Sequence, residues 1–208
     1  MQALLFAHWA KKLGTPVGVL RQVQFHPMFD VKVDALIAYT FDHYLQTGES
    51  GWPLLLPMVK STVRAMDAMQ KIARERWNVS LDSFTLTGAS KRGWTAWLTA
   101  ATDKRVTAVV PMVIDVLNMG AQMDHQRATW GVLSEQIRDY NSLALPTRLR
   151  SERGVALLSL VDPFSYRKQL TQSKLIVLGT NDRYWPLDAL NLYWTALPDP
   201  KRVLYVPN

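Results

Sequence analysis

Apolar residues along this chain follow two patterns that alternate with each other. In one pattern they form short, nearly continuous runs, which predict buried strands at 83–87, 106–114, 174–179 and 202–206. In the other they recur every three or four positions, which predicts helices at 34–45, 59–74, 94–101, 164–172 and 187–197. Strands that alternate with helices are typical of a mostly parallel sheet with helices on both faces, so we assign the chain to the α/β class.

The first twenty residues predict a helix followed by a strand. Residues 1–14 have an amphipathic pattern that Gly14 would close, because glycine is favoured directly after a helix. A secretion signal fits the same residues less well, since no basic residue precedes the apolar run and Lys11 and Lys12 stand where a small-residue cleavage site belongs. Residues 16–20 then predict a short buried strand. Because the chain opens with a helix that leads into this strand, the sequence shows no earlier strand that could be the first of the sheet.

The segment 116–155 is more polar than the strand before it and has a helical pattern. We therefore predict a single domain over 1–208 that contains a helical insertion at 116–155. The sequence contains neither an internal repeat nor a low-complexity linker.

The motif Gly-x-Ser-x-x-Gly at 88–93 lies between a predicted strand and a predicted helix. A serine in such a sharp turn is pushed out at the carboxyl end of the sheet, beside the positive end of the next helix. Ser90 is therefore a candidate acyl-transfer nucleophile, and the backbone N–H of Lys91 is a candidate oxyanion donor. The glycine spacing also fits a phosphate-binding loop, but Trp94 and Thr95 stand where that loop needs Lys and Ser or Thr.

A serine nucleophile needs a base and an orienting acid. Asp182 follows the strand predicted at 174–179 and is the first candidate acid, while Asp115, directly after the strand at 106–114, is the alternative. The candidate bases are the histidines His8, His26, His43 and His125. Only the last follows Ser90, and we expect it to be structural, because it lies within the insertion beside Asp124 and adjacent helix positions do not face each other.

The composition excludes several classes of protein. Hydrophobic residues make up 48% and charged residues 20%, which rules out a disordered chain, and no window of about 18 apolar residues predicts a transmembrane helix. Cysteine is absent, so disulfides and thiolate metal sites are excluded. The net charge is +7, but the basic residues are scattered, so we predict no nucleic-acid binding. No metal-ligand or nucleotide motif is present, and we predict no metal and no cofactor.

Six short stretches together resemble one known family over essentially the whole chain. They are GWP at 51–53, LPMVK at 56–60, AMD at 65–67, TGASKRGW at 87–94, DVLN at 115–118 and GTNDRYWP at 179–186. They resemble the PhoPQ-activated pathogenicity-related family of the α/β-hydrolase superfamily. The resemblance implies a serine hydrolase-like fold with Ser90 as nucleophile and Asp182 as acid, and it suggests a secreted or periplasmic protein. The compartment is not determined by the residues themselves.

The turn at Ser90 is also similar to that of glucuronoyl and acetyl esterases, in which arginine directly follows the serine. Here Lys91 has that place and Arg92 follows it. We predict Arg92 and Trp185 as substrate-binding residues, for a small-molecule or carbohydrate ester.

The departures from the family pattern concern both ends of the chain. In the family, opening strands precede the region that starts here, and a loop containing histidine follows the strand that ends near Asn208. We therefore expect a hydrolase-like fold that is incomplete at both termini, a fragment of a longer esterase-like protein. It would be inactive for lack of the catalytic histidine, and its exposed sheet edges could drive self-association. The alternative is a secreted binding or signalling protein that uses a hydrolase fold without chemistry.

Overall fold

The computed structural model describes residues 2–21, 23, 27–31 and 33–207. Its helices are α1 (Gln2–Leu13), α2 (Asp34–Thr47), α3 (Leu55–Trp77), α4 (Lys91–Thr102), α5 (Met119–Trp130), α6 (Arg138–Asn141), α7 (Leu145–Arg148) and α8 (Glu152–Val161). Its strands are β1 (Phe84–Ala89), β2 (Val106–Met112), β3 (Ser173–Gly179) and β4 (Lys201–Val206). Short 3₁₀ turns lie at Glu135–Ile137, Pro163–Gln169, Ala189–Leu192 and Trp194–Ala196.

The four strands form one parallel sheet in the order β1, β2, β3, β4. Val109 and Ile176 lie in the two central strands and are fully buried, as the continuous apolar runs predicted. Because parallel strands end at the same edge, the residues that follow β1, β2 and β3 come together there. The prediction of a parallel α/β sheet is confirmed.

Helix α4 packs against β1 and β2 on the face toward which Gly88 points. On the opposite face, alternate residues of the outer strands are exposed, among them Thr85 and Thr87 of β1 and Leu204 of β4. The described helices therefore cover one face of the sheet more fully than the other, whereas the sequence pattern predicted helices on both.

Two tryptophans of α4 connect the sheet to the rest of the core. Trp97 is fully buried, on the helix that packs against both α3 and the sheet. The Trp94 ring meets Phe41 of α2 edge to face at 6.0 Å, and its indole N–H donates to the carbonyl of Val161 at 2.6 Å. Because a buried indole N–H needs an acceptor, this bond fixes the end of α8 against α4.

The helical segment between β2 and β3 is joined to α2 near its middle, and its two ends are joined to each other. An ion pair between Arg148 and Asp42 joins α7 to α2. The buried Asp162 carboxylate accepts the backbone N–H groups of Met119 and Phe164, each at 2.8 Å. A carboxylate at the start of α5 is favourable because the first N–H groups of a helix have no partner within it. Helices α5 to α8 occupy the region predicted as an insertion, and α8 continues to Val161.

Two predicted elements are wrong, and the helix predicted at 164–172 is a 3₁₀ helix at Pro163–Gln169 instead of an α-helix. Residues 16–20 form no strand; Val19 and Leu20 are 46% and 49% exposed, and no neighbouring strand among the described residues pairs with them. An apolar run becomes a strand only where a partner completes its hydrogen bonds. The helix predicted at 187–197 is replaced by two 3₁₀ turns, because the backbone leaves helical geometry at Tyr193, whose φ is −142°.

None of the helices within the described ranges combines the length and the apolarity needed to cross a membrane.

We expect the outer strands to promote self-association. In the part of the chain that the structure describes, β1 and β4 each pair on one side only, and Leu204 and Val206 of β4 are 49% and 46% exposed. Exposed apolar edges are templates for pairing with another chain. The double variant Leu204→Lys/Val206→Lys should therefore shift the protein towards monomer in size-exclusion chromatography with light scattering, measured over a range of concentrations.

Val155→Lys is the matched control, since Val155 is equally apolar and 59% exposed but lies on α8. Association through β4 would be contradicted if the wild type is monomeric at every concentration. It would also be contradicted if the Val155→Lys control shifts the protein towards monomer as much as the double variant does.

Candidate active site

Ser90 connects β1 to α4 in a strained backbone conformation. Its φ is 55° and its ψ is −130°, values that residues other than glycine rarely adopt. The N–H of Ser90 donates to the carbonyl of Met112 at 2.9 Å, and its own carbonyl accepts the N–H of Trp94 at 3.0 Å. The turn is therefore held by β2 on one side and by the first turn of α4 on the other. Strain of this kind persists where the surroundings fix it, which is common at functional sites.

Glycines on both sides allow this turn to close. A Cβ atom on Gly88 would lie 2.7 Å from the backbone carbonyl group of Arg92, and one on Gly93 would lie 2.6 Å from Ile114 Cγ2. Both distances are shorter than real Cβ contacts, so the close approach of α4 to the sheet requires glycine at these positions.

A cavity of about 440 Å³ lies at the carboxyl edge of the sheet. Four of the predicted site residues line it: Ser90, Lys91, Asp182 and Trp185. Trp185 is buried, whereas Ser90 and Asp182 are half-buried, so both polar groups are accessible from the cavity. The structure thus brings together residues that are more than 90 positions apart in the chain.

Asp182 lies in the loop after β3, and its orientation is fixed by the backbone. Its Oδ1 accepts the N–H of Tyr184 at 2.7 Å. Burial raises the pKa of the Asp182 carboxyl, while hydrogen bonds from the backbone of Tyr184 and Trp185 oppose that rise. A half-buried carboxylate of fixed orientation that lines the same cavity as the serine could orient and stabilise an imidazole, which is the task of the acid in a triad.

Two further predicted site residues, Arg92 and Asp115, are not part of the cavity lining. The Arg92 guanidinium donates to the carbonyl of Val23 at 3.1 Å. Asp115 is only 3% exposed, and neither its Oδ1 nor the hydroxyl of the nearby Tyr193 makes a hydrogen bond of good geometry. Burial raises the pKa of Asp115 to about 7; the Tyr193 hydroxyl partly offsets this, and the charge of Asp182 adds to it.

Lys91 contributes more than its backbone N–H. Its side chain is buried in the cavity wall, and its ammonium lies 3.0 Å from a carboxylate oxygen of Asp34 at the start of α2. This ion pair fastens α2 to the turn that carries Ser90. Asp34 could not be predicted as a site residue from the sequence, because an acid at that position indicates only the start of a helix.

None of the histidines that the structure describes lines the cavity. His125 bonds the Asp188 carboxylate at 2.8 Å, consistent with the structural role predicted for it, and His43 packs against Trp52 with ring centroids 3.7 Å apart. His8 lies on α1, and His26 is outside the described residues. No group of three histidines or carboxylates in the described ranges could hold a metal ion.

The glycine contacts predict a sharp difference between three alanine variants. Gly88→Ala and Gly93→Ala should each destabilise the protein by about 1–3 kcal/mol or more, because the added methyl group meets backbone or a packed side chain. Gly120→Ala on α5 is the control, since nothing lies within 4 Å of its added Cβ, and it should be neutral or slightly stabilising. Thermal unfolding measures the difference; equal melting temperatures for all three variants would contradict the tight turn.

The buried carboxyls predict that stability falls as the pH rises. The pKa of Asp115 is about 7 and that of Asp162 about 6, both raised by burial from 3.8, so the folded state binds their protons more tightly than the unfolded state does. The free energy of unfolding should then fall between about pH 4 and pH 7, by up to about 1.4 kcal/mol per pH unit for each group. Asp115→Asn should remove its share of this slope.

Urea unfolding at a series of pH values measures the slope. Glu75→Gln is the control, because its side chain is 61% exposed, and it should keep the wild-type slope. An Asp115→Asn slope equal to that of the wild type would show that this carboxyl ionises normally.

Comparisons with known proteins agree with this architecture. Acetyl xylan esterase from Paenibacillus sp. R4 superposes with a TM-score of 0.57 at 16% identity, over 74% of this chain and 47% of its own. Acetyl Xylan Esterase 1 from Thermoanaerobacterium sp. JW/SL YS485 gives a TM-score of 0.56 at 17% identity, over 90% of this chain and 55% of its own. At these identities the likeness shows the fold alone, which is that of the α/β-hydrolases.

Sequence comparison identifies the family. Autocrine proliferation repressor protein A of Dictyostelium discoideum is 37% identical over 179 residues, which are 84% of this chain and 36% of that protein. The chain thus spans about a third of this curated relative and about half of each esterase. The model of the PhoPQ-activated pathogenicity-related protein family matches residues 2–208. The chain therefore belongs to the PhoPQ-activated pathogenicity-related protein family and has an α/β-hydrolase fold.

Proposed function

We propose that this chain carries the nucleophile and the acid of a serine hydrolase site for esters or amides, Ser90 and Asp182 respectively. The observation that carries the proposal is the backbone of Ser90, at φ 55° and ψ −130° between a strand and a helix, in the wall of a cavity that Asp182 also lines. Such a turn exposes the hydroxyl where a carbonyl group can approach it. The fold shared with the acetyl xylan esterases supports a small-molecule or carbohydrate ester as substrate.

The chemistry follows from these positions. The Ser90 oxygen forms a bond to the carbonyl carbon while its proton passes to a base, and negative charge develops on the carbonyl oxygen. The Lys91 N–H, at the start of α4, is placed to donate to that oxygen. The base returns the proton to the departing alcohol or amine as the C–O or C–N bond breaks. Water then releases the acid by the same sequence of steps.

Asp182 is the better candidate for the acid than Asp115. Asp182 lines the cavity and keeps a half-exposed carboxylate, whereas Asp115 is buried and has a pKa of about 7. An acid that stabilises a positively charged imidazole must itself remain ionised. Asp115 would be partly neutral at neutral pH and therefore suits a structural position beneath the site.

None of the described histidines lines the cavity, so none is assigned as the base. We therefore expect slow turnover from the 208-residue chain. Loss of one triad member typically leaves only the catalysis that binding and oxyanion donors supply, roughly 10³–10⁴-fold over water. Free imidazole added to the solution should then act as the proton acceptor. We expect it to accelerate Ser90-dependent hydrolysis of p-nitrophenyl acetate.

The test compares Ser90→Ala with Ser159→Ala, an exposed serine on α8. After subtraction of the imidazole-only rate, turnover and labelling by a small fluorophosphonate should be lost in Ser90→Ala and kept in Ser159→Ala. Asp182→Asn should lower the imidazole-assisted rate by at least tenfold. Labelling that survives Ser90→Ala would show that Ser90 is not the nucleophile. Fast turnover without imidazole would show that the protein already supplies a base.

A second candidate function is binding or signalling without catalysis, which fits a cavity that none of the described histidines lines. The Dictyostelium relative is called an autocrine proliferation repressor protein. A secreted signalling or binding protein could use the cavity for a ligand without chemistry. Retained ligand binding together with no Ser90-dependent labelling, with or without imidazole, would favour this function.

A further inference from the structure

The cavity beside Ser90 has a chemical character that points to one class of acyl group. Its walls away from Ser90 are mainly apolar side chains supplied by α2, α4, α5 and the segment after it: Phe41, Trp94, Met119, Met123, Ile137 and Leu149. All six are buried, with at most 8% of each residue exposed. An apolar wall of this extent favours a ligand that can be removed from water.

Two of the charged groups in the wall neutralise each other, because the Lys91 ammonium is paired with Asp34 at 3.0 Å. The Asp182 carboxylate keeps its charge, but it lies in the loop after β3, at the same sheet edge as Ser90. The remaining charged lining residue, Arg183, is exposed and so lies towards solvent. The polar part of a substrate would therefore face the mouth, and its apolar part the interior.

The cavity volume limits the size of the apolar part of the substrate. A volume of about 440 Å³ corresponds to roughly fifteen water-sized units at about 30 Å³ each. An acetyl group has three non-hydrogen atoms and would leave most of this space empty. Met119 and Met123 are unbranched and adaptable, which suits contact with a flexible chain better than with a rigid ring system.

We propose that this cavity binds the acyl chain of an aliphatic ester of medium length, about six to ten carbons, with the ester carbonyl at Ser90. The proposal rests on the proposed function for the direction of the ester, because Ser90 defines the end at which the carbonyl lies. The preference for a medium chain separates this site from one shaped for acetyl groups. It also assigns a task to the helical segment between β2 and β3, whose side chains form much of the wall.

Binding to the Ser90→Ala protein tests the acyl site independently of chemistry. We expect methyl octanoate to raise the melting temperature in a saturable way. It should bind roughly 4,000-fold more tightly than methyl acetate if all six of its additional methylenes are buried, since each buried methylene strengthens binding about fourfold. Tryptophan fluorescence gives a second readout, because Trp94 and Trp185 line the cavity. Less than threefold selectivity between the two esters would overturn the proposal.

Two variants with an added tryptophan test where the acyl chain of the ester binds. Ile137→Trp should fill part of the cavity and weaken methyl octanoate binding at least tenfold, whereas Val132→Trp, at a 66% exposed position outside the lining, should leave it unchanged. Met123→Phe, a smaller change on another wall, replaces Ile137→Trp if circular dichroism shows that the latter is unfolded. Unchanged binding in a folded cavity variant would place the ester elsewhere and overturn the proposal.

The two proposals fail in different ways. If Ser90-dependent labelling is absent while octanoate binding has the expected selectivity, the nucleophile is wrong and the acyl site stands. If labelling depends on Ser90 but the two esters bind equally, the hydrolase site stands and the preference for a medium chain is wrong.

Discussion

The contact on which the rest of the site depends is the approach of α4 to the end of β1. Gly88 and Gly93 allow the two backbones to meet at distances that no side chain would permit, and Ser90 absorbs the resulting strain at φ 55°. The same contact sets the direction of α4, and with it the Lys91 N–H and the buried Trp97. One local close approach thus fixes a hydroxyl, a hydrogen-bond donor and a large part of the core.

In the proposed function, the reacting groups and much of the apolar wall come from different sections of the chain. The sheet edge supplies Ser90 and Asp182, the proposed nucleophile and acid, whereas the helices between β2 and β3 supply much of the apolar wall. These helices are secured by the Arg148–Asp42 ion pair and by the Asp162 carboxylate at the start of α5. Because the two sections have separate supports, the walls could vary without disturbing the turn, a division that lets one fold serve many substrates.

Two aspartates near the sheet edge show how environment separates residues of the same type. Asp115 and Asp182 both follow a strand, yet only Asp182 lines the cavity, while Asp115 is buried near Tyr193 with a pKa of about 7. Their mutual repulsion adds to the effect of burial on Asp115. One carboxyl is therefore accessible from the cavity, and the other is a source of pH-dependent stability.

The strands, their parallel arrangement and the turn at Ser90 could be predicted from the sequence, because continuous apolar runs, helical periodicity and glycine positions are local properties. The strand expected at 16–20 could not be judged in this way, since a strand also needs a partner that no local pattern reveals. The sequence ranks Asp182 before Asp115 as the acid but leaves both possible, because both follow strands, and their different burial separates them. The Lys91–Asp34 pair, 57 residues apart, and the apolar cavity were decided by tertiary packing alone, because contact between distant residues depends on how the elements meet in space.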